Sequence, residues 1–183
     1  MRLPSELASE RLQLRPAGRD DAEFFFAMFS DPEVVRFLSF KPITEPQQAR
    51  AMVEHLASAW ERGGGDLAAA KQGYIYLIAD GAGPVGSLGV RKEIYGYELS
   101  YSLARSAWGR GYMPEAVRAI SEWLLANGAW RVFATCHVDN VGSQRTLEKA
   151  GFEREGRMRR YFTFPNLGPD PADGYLYARV REE

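Results

Sequence analysis

The chain has 183 residues, with 23 lysines and arginines against 24 aspartates and glutamates, a formal net charge of -1 and 45% hydrophobic side chains. That length and apolar content suit a single domain over residues 1–183, and the balanced charge gives no long-range pull toward nucleic acid or a strongly acidic partner. A lone cysteine, Cys136, with only His55 and His137 beside it excludes an intramolecular disulfide and an ordinary zinc set, so no metal is expected and a reducing cytoplasm is the expected setting.

No run approaches the roughly 20 apolar residues that cross a bilayer, so no membrane partner is expected. RLQLRP, residues 11–16, alternates Leu12 and Leu14 with polar side chains and predicts a first strand. DDAEFFFAMFS follows with acids ahead of an apolar face, the arrangement of a helix start. Pro32 suits the first turn of a short helix, and Pro42 and Pro46 then break the chain. Thr44 with Gln47 predicts a capping box for a helix through Met52, Leu56 and Trp60 that stops at Gly63, Gly64 and Gly65.

YIYLIAD (74–80), a GAG turn, VGSLGVR and YGYELSYSL (95–103) predict three consecutive strands in an antiparallel meander. Over residues 114–125 the period becomes helical, with Ala116, Val117, Ile120, Trp123 and Leu124 on one stripe and Gly128 as the cap. RVFATCHV (131–138) is another strand, and the strand, helix, strand order implies a crossover to a parallel or locally splayed pair. A shorter helix over 141–150, a strand in FEREGRMRRYFTF, a turn region PNLGPDPADG and a last strand YLYARV complete the chain. The expected fold is α/β: a mixed, mostly antiparallel seven-stranded sheet with helices on both faces.

WGRGYMPEAV, residues 108–117, concentrates glycine where a helix must start. Such a terminus leaves backbone N–H groups without helical acceptors, and Gly109 and Gly111 let the main chain approach an anion or take φ above zero, with Arg110 adding a cation. The pattern is neither the dinucleotide GxGxxG nor an ATP-binding loop with its lysine and hydroxyl residue. A plain strand-to-helix turn accounts for the same glycines.

The segment resembles the acyl-CoA pyrophosphate loop of the GCN5-related N-acetyltransferase (GNAT) superfamily, and in particular the WGxGYxxEA stretch of bacterial ribosomal-protein N-terminal acetyltransferases, matched by Trp108, Gly109, Gly111, Tyr112, Glu115 and Ala116. A second stretch, N-xx-S-xxx-EKxGF, is matched by Asn140, Ser143, Glu148, Lys149, Gly151 and Phe152. The resemblance implies acetyl-CoA as cosubstrate, bound where two central parallel strands splay apart, with Leu103, Arg105, Trp108, Gly109, Arg110, Gly111, Tyr112, Asn140, Ser143 and Arg145 around it. Ser106 departs from the glutamine or arginine common in that loop. Asn140 also has the side chain of a helix cap.

Acetyl transfer to an amine requires a neutral amine, a polarised thioester carbonyl and an outlet for the thiolate. Glu98, acting through water, is the expected base, with His137 second; backbone N–H groups near Leu103 are the expected carbonyl ligands. Ser143 stands where the resembled ribosomal-protein type has a serine proposed for the acid role and is the expected acid; Leu147 occupies the place where many superfamily members have a tyrosine. Lys149 joins Arg145 as a candidate rim cation, and Phe37, Tyr95, Tyr97, Tyr161 and Phe164 are candidate acceptor walls. The expected acceptor is a protein N-terminal α-amine. A small amine is the alternative, as is a non-catalytic acyl-CoA-binding module; superfamily habit adds a homodimer.

Overall fold

The structure, a computed structural model, describes residues 1–182. In chain order it contains β1 (Leu7–Ala8), β2 (Gln13–Pro16), α1 (Ala22–Phe29), α2 (Pro32–Val35), α3 (Pro46–Gly63), β3 (Tyr74–Asp80), β4 (Gly83–Glu93), β5 (Gly96–Leu103), α4 (Tyr112–Ala126), β6 (Arg131–His137), α5 (Val141–Lys149), β7 (Glu153–Thr163) and β8 (Pro171–Val180). The strands form one sheet in the order β1-β2-β3-β4-β5-β6-β8-β7. Its eighth member is the two-residue β1, too short to leave an alternating pattern in the sequence.

Every neighbouring pair is antiparallel except β5 and β6. That parallel contact is confined to Tyr97 opposite Val132 and Glu98 opposite Phe133. Beyond it β5 continues to Leu103 and β6 to His137 without pairing, so the sheet opens in the middle.

Alternation along the strands sends side chains into two cores. On one face Tyr76, Ile78, Leu88, Val90, Leu99, Val132 and Ala134 pack against the α4 stripe of Ala116, Val117, Ile120 and Leu124 and against Leu147 of α5. On the other, Leu77 meets Phe25, Met28 and Phe29 of α1, Val35 of α2 and Ala49 and Val53 of α3. Leu147 is fully buried, which ties α5, and with it the right-hand wall of the opening, to the core; truncating such a leucine costs about 2–5 kcal/mol.

The capping box of α3 lies one residue later than the sequence suggests. Gln48, not Gln47, turns its Oε1 back to the N–H groups of Thr44 and Glu45, at 2.8 and 3.0 Å. The helix therefore starts at Pro46, whose missing N–H costs nothing in a first turn. The last strand begins well before YLYARV: Pro171 and Ala172 already pair with Thr163 and Phe162. Proline is tolerated there because it opens the strand. No helix among the described residues is long and apolar enough to cross a membrane.

Candidate active site

The opening between β5 and β6 continues into a cleft of about 600 Å³ bounded by Phe37, Tyr101, Leu103, Trp108, Asn140 and Ser143, among others. Its floor is the glycine turn. Gly109 and Gly111 both adopt left-handed φ, 76° and 78°, where an L side chain is strained by about 1–2 kcal/mol. Gly111 is the N-cap of α4 and supplies no capping side chain. Pro114 falls at the third helical position and removes one donor, and Glu115 closes the first helical bond onto the Gly111 carbonyl at 3.3 Å. Among the described residues, the N–H groups of Gly109, Arg110, Gly111, Tyr112 and Met113 have no protein acceptor. They lie at the positive end of a 15-residue helix, where an anion is favoured.

A carboxylate in that first turn opposes an anion unless it is neutralised, and the fold neutralises it. Glu115 accepts from Ser9 Oγ at 2.7 Å, from the Arg11 N–H at 2.8 Å and from Arg11 Nε at 2.7 Å. Burial pushes the Glu115 carboxyl upward, but these bonds and the Arg11 charge outweigh it and hold the group below its ordinary range. Arg11 also donates to the Arg110 carbonyl at 3.0 Å and lies over the Tyr112 ring at 4.9 Å. The Tyr112 hydroxyl donates to Asp80 at 2.9 Å. Trp108 Nε1 donates to the Leu103 carbonyl at 2.8 Å, fastening the turn to the end of β5.

The left wall is the free edge of β5. Ala104 donates its N–H to Val85 on the β4 side at 2.9 Å. Alternation then turns the N–H groups of Leu103 and Tyr101 the other way, into the gap that β6 has left. The right wall is the start of α5. Asn140 caps it, its Oδ1 accepting from the Ser143 N–H at 3.1 Å, which leaves its Nδ2 donors for a ligand. Ser143 Oγ lies 2.8 Å from the Tyr101 hydroxyl. Cys136 is buried beside them, and burial pushes its thiol up to about 11.

Of the remaining sequence candidates, Arg145 and Lys149 line the cleft, whereas Arg105, Arg110 and Glu98 are outside the lining. Arg105 sits 3.6 Å from Asp31. Glu98 is held by Arg91 at 2.5 Å, because the antiparallel register of β4 and β5 sets the two directly opposite. Its carboxylate is thus engaged in an ion pair outside the cleft lining. His137 is no better: its Nδ1 accepts from the Asp139 N–H at 3.0 Å, which engages the lone pair a base needs.

His137 instead anchors an aromatic wall, stacked on Phe37 at 5.2 Å and met edge-on by Phe164 at 4.9 Å. Asn166 braces this wall by donating to the carbonyls of Val35 and Phe40, at 2.7 and 2.8 Å. Tyr161 is exposed on β7, Tyr95 is exposed in the turn between β4 and β5, and Tyr97 packs on the core; neither Tyr95 nor Tyr97 is a wall. Sequence reading missed Ser9, Arg11, Tyr101 and Asn166, whose partners are 42 to 131 residues away. Only Tyr101, inside a strand already assigned to the cleft, left a usable trace.

A sheet opened between parallel strands above a ring of unpaired amides defines a protein that binds a long phosphorylated carrier and works at the carrier's far end. Residues 11–153 match the family described as the acetyltransferase (GNAT) domain, and the chain belongs to that family. It is 29% identical over 178 residues to the uncharacterized N-acetyltransferase YoaA of Bacillus subtilis, covering 96% of this chain and 98% of that one. Its fold is similar to that of a GNAT-family acetyltransferase from Bacillus anthracis, with TM-score 0.81, 24% identity and coverage of 97% and 99%. It is similar too to RimL, a ribosomal L7/L12 alpha-N-protein acetyltransferase solved with coenzyme A, with TM-score 0.78, 22% identity and coverage of 99% and 98%. The protein is an acetyl-CoA-dependent acetyltransferase acting on an amine.

Proposed function

We propose that this acetyltransferase acts on protein N-terminal α-amines, by direct attack of the amine on the thioester in a ternary complex. The observation that carries the reading is the set of unpaired N–H groups over residues 109–113 beneath an opening walled by Tyr101, Leu103, Asn140 and Ser143. The amides of Gly109, Arg110 and Gly111, with those of Tyr112 and Met113, hold the diphosphate, and Arg145 neutralises part of its charge. Asn140 Nδ2 and the β5 edge take the amide-bearing arm. The Leu103 N–H receives the negative charge that builds on the thioester carbonyl, and the Ser143 hydroxyl faces the departing sulfur.

The ease with which the acceptor loses its proton favours the α-amine. At pH 7.5 an α-amine with pKa near 8 is about one quarter neutral, whereas a lysine with pKa near 10.4 is neutral in only about one molecule in a thousand. The first therefore needs far less help from a base than the second. RimL, which modifies an N-terminus, shares the fold. A small amine is the second reading, favoured by the Phe37 ring on the cleft wall, which His137 and Phe164 back from the interior.

Incubation with acetyl-CoA and a panel of peptides with free or blocked N-termini, read by mass spectrometry beside a panel of small amines, tests the choice. Acetylation confined to free N-termini is the expected result. Modification of small amines alone, or of lysines in blocked peptides, overturns it.

A further inference from the structure

We propose that Tyr101 is a positioning residue that fixes the Ser143 hydroxyl so that its hydrogen points at the thioester sulfur. The inference rests on the reading above, in which Ser143 faces the leaving group.

The two side chains come from opposite walls of the opening, Tyr101 from β5 and Ser143 from α5, and they meet across it at 2.8 Å. A phenol has one hydrogen. Its acceptors within reach are Ser143 Oγ and, at a longer 3.4 Å, the Ser143 carbonyl. With Tyr101 donating to Oγ, the shorter of its two contacts, Ser143 keeps its own hydrogen for another acceptor. Burial raises the Tyr101 pKa well above the ordinary phenol value, so the phenol keeps its hydrogen at neutral pH. Asn140 fixes the same serine from the other side, through the cap on its N–H at 3.1 Å. Main chain and side chain of Ser143 are thus both held, and the hydroxyl loses the rotor freedom that makes a lone serine a poor directed donor.

The buried Cys136 thiol beside Ser143 is kept protonated by its burial and is a weak acceptor for that hydrogen. An incoming thioester sulfur competes well against it. When the C–S bond breaks, its electron pair goes to sulfur, Ser143 hydrogen-bonds the thiolate, and the proton released by the amine leaves to water. No proton is lost from Ser143 or Tyr101. A thiol with pKa near 8.5 is already a fair leaving group, so one directed hydrogen bond is a proportionate device. Leu147, one turn further along α5, is fully buried in the core and cannot supply a donor, which leaves the β5 phenol to complete the arrangement.

The test is a double-mutant cycle on the full chain with Tyr101→Phe, Ser143→Ala and the pair, measuring kcat, acceptor KM and acetyl-CoA Kd. Tyr101→Phe keeps the ring and is expected to lower kcat about three- to tenfold, the worth of one neutral hydrogen bond, with KM and Kd unchanged. In the Ser143→Ala background the same change is expected to do nothing further. Ser143→Thr, which retains a hydroxyl, is expected to keep the Tyr101 dependence. Full kcat in Tyr101→Phe, or an equal loss with and without Ser143, overturns the positioning role. Full kcat in Ser143→Ala overturns the reading beneath it, and is distinguishable because Tyr101 is then untouched.

Discussion

Arg11→Ala separates the support of the phosphate turn from the turn itself. Arg11 contributes two side-chain contacts to Glu115, at 2.7 and 2.6 Å, and one to the Arg110 carbonyl at 3.0 Å. Charge-assisted hydrogen bonds are each worth about 1.5–3 kcal/mol when shielded, but exposed ion pairs contribute only about 0–1 kcal/mol. Arg11 is 46% exposed and Glu115 16%, so a net loss of about 1–2 kcal/mol is expected. In a chain of this size that lowers Tm by about 2–8 °C.

The pH dependence identifies the cause. Glu115 is held below its ordinary 4.5 in the folded state, so its stabilisation is complete above that value and disappears as pH falls through the lower folded one. The Tm difference between wild type and Arg11→Ala, followed by circular dichroism from pH 7 downward, should therefore be full at neutral pH and shrink below about 4.5. Acetyl-CoA affinity should fall in parallel at pH 7, since the variant leaves an unopposed carboxylate in the first turn of α4. Adding Glu115→Gln should recover part of that affinity. A Tm change under about 1 °C, or one that persists undiminished into acid, would refute the assignment.

Four further outcomes follow from the geometry. Gly111→Ala should destabilise by about 1–2 kcal/mol through its positive φ and weaken acetyl-CoA in isothermal titration; unchanged affinity in the folded variant counts against the phosphate turn. Glu98→Gln should leave the pH–rate profile unaltered, because its carboxylate serves Arg91; loss of the acidic limb would return the base role to it. Asn166→Ala strips the donor from two wall carbonyls, and should cost about 1–3 kcal/mol and raise acceptor KM while sparing acetyl-CoA Kd, both read by steady-state kinetics. Cys136, whose burial pushes its thiol up to about 11, should resist iodoacetamide at pH 7.5; rapid alkylation of the native protein would contradict its burial.

What the sequence by itself determined is what short-range physics encodes. The 3.6-residue stripe of Ala116, Val117, Ile120 and Leu124 specifies a helix with one buried face, and the short, aromatic and β-branched runs YIYLIAD and YGYELSYSL specify strands. The glycines at 109 and 111 could be placed as well, because only glycine takes positive φ at little cost, and the Asn140 cap reaches just three residues ahead.

Tertiary structure decided whatever depends on partners distant in the chain. Glu98 reads as a free carboxylate until the β4–β5 register sets Arg91 opposite it. Glu115 reads as one letter of a loop motif until Arg11, 104 residues earlier, neutralises it. The opening itself follows from where the parallel pairing of β5 and β6 ceases, and no local pattern records that point. Propensity and periodicity act over one or two turns of chain, whereas the neutralisation of a charge, the facing of a lone pair and the meeting of two hydroxyls across a gap are fixed only once the sheet has brought its strands together.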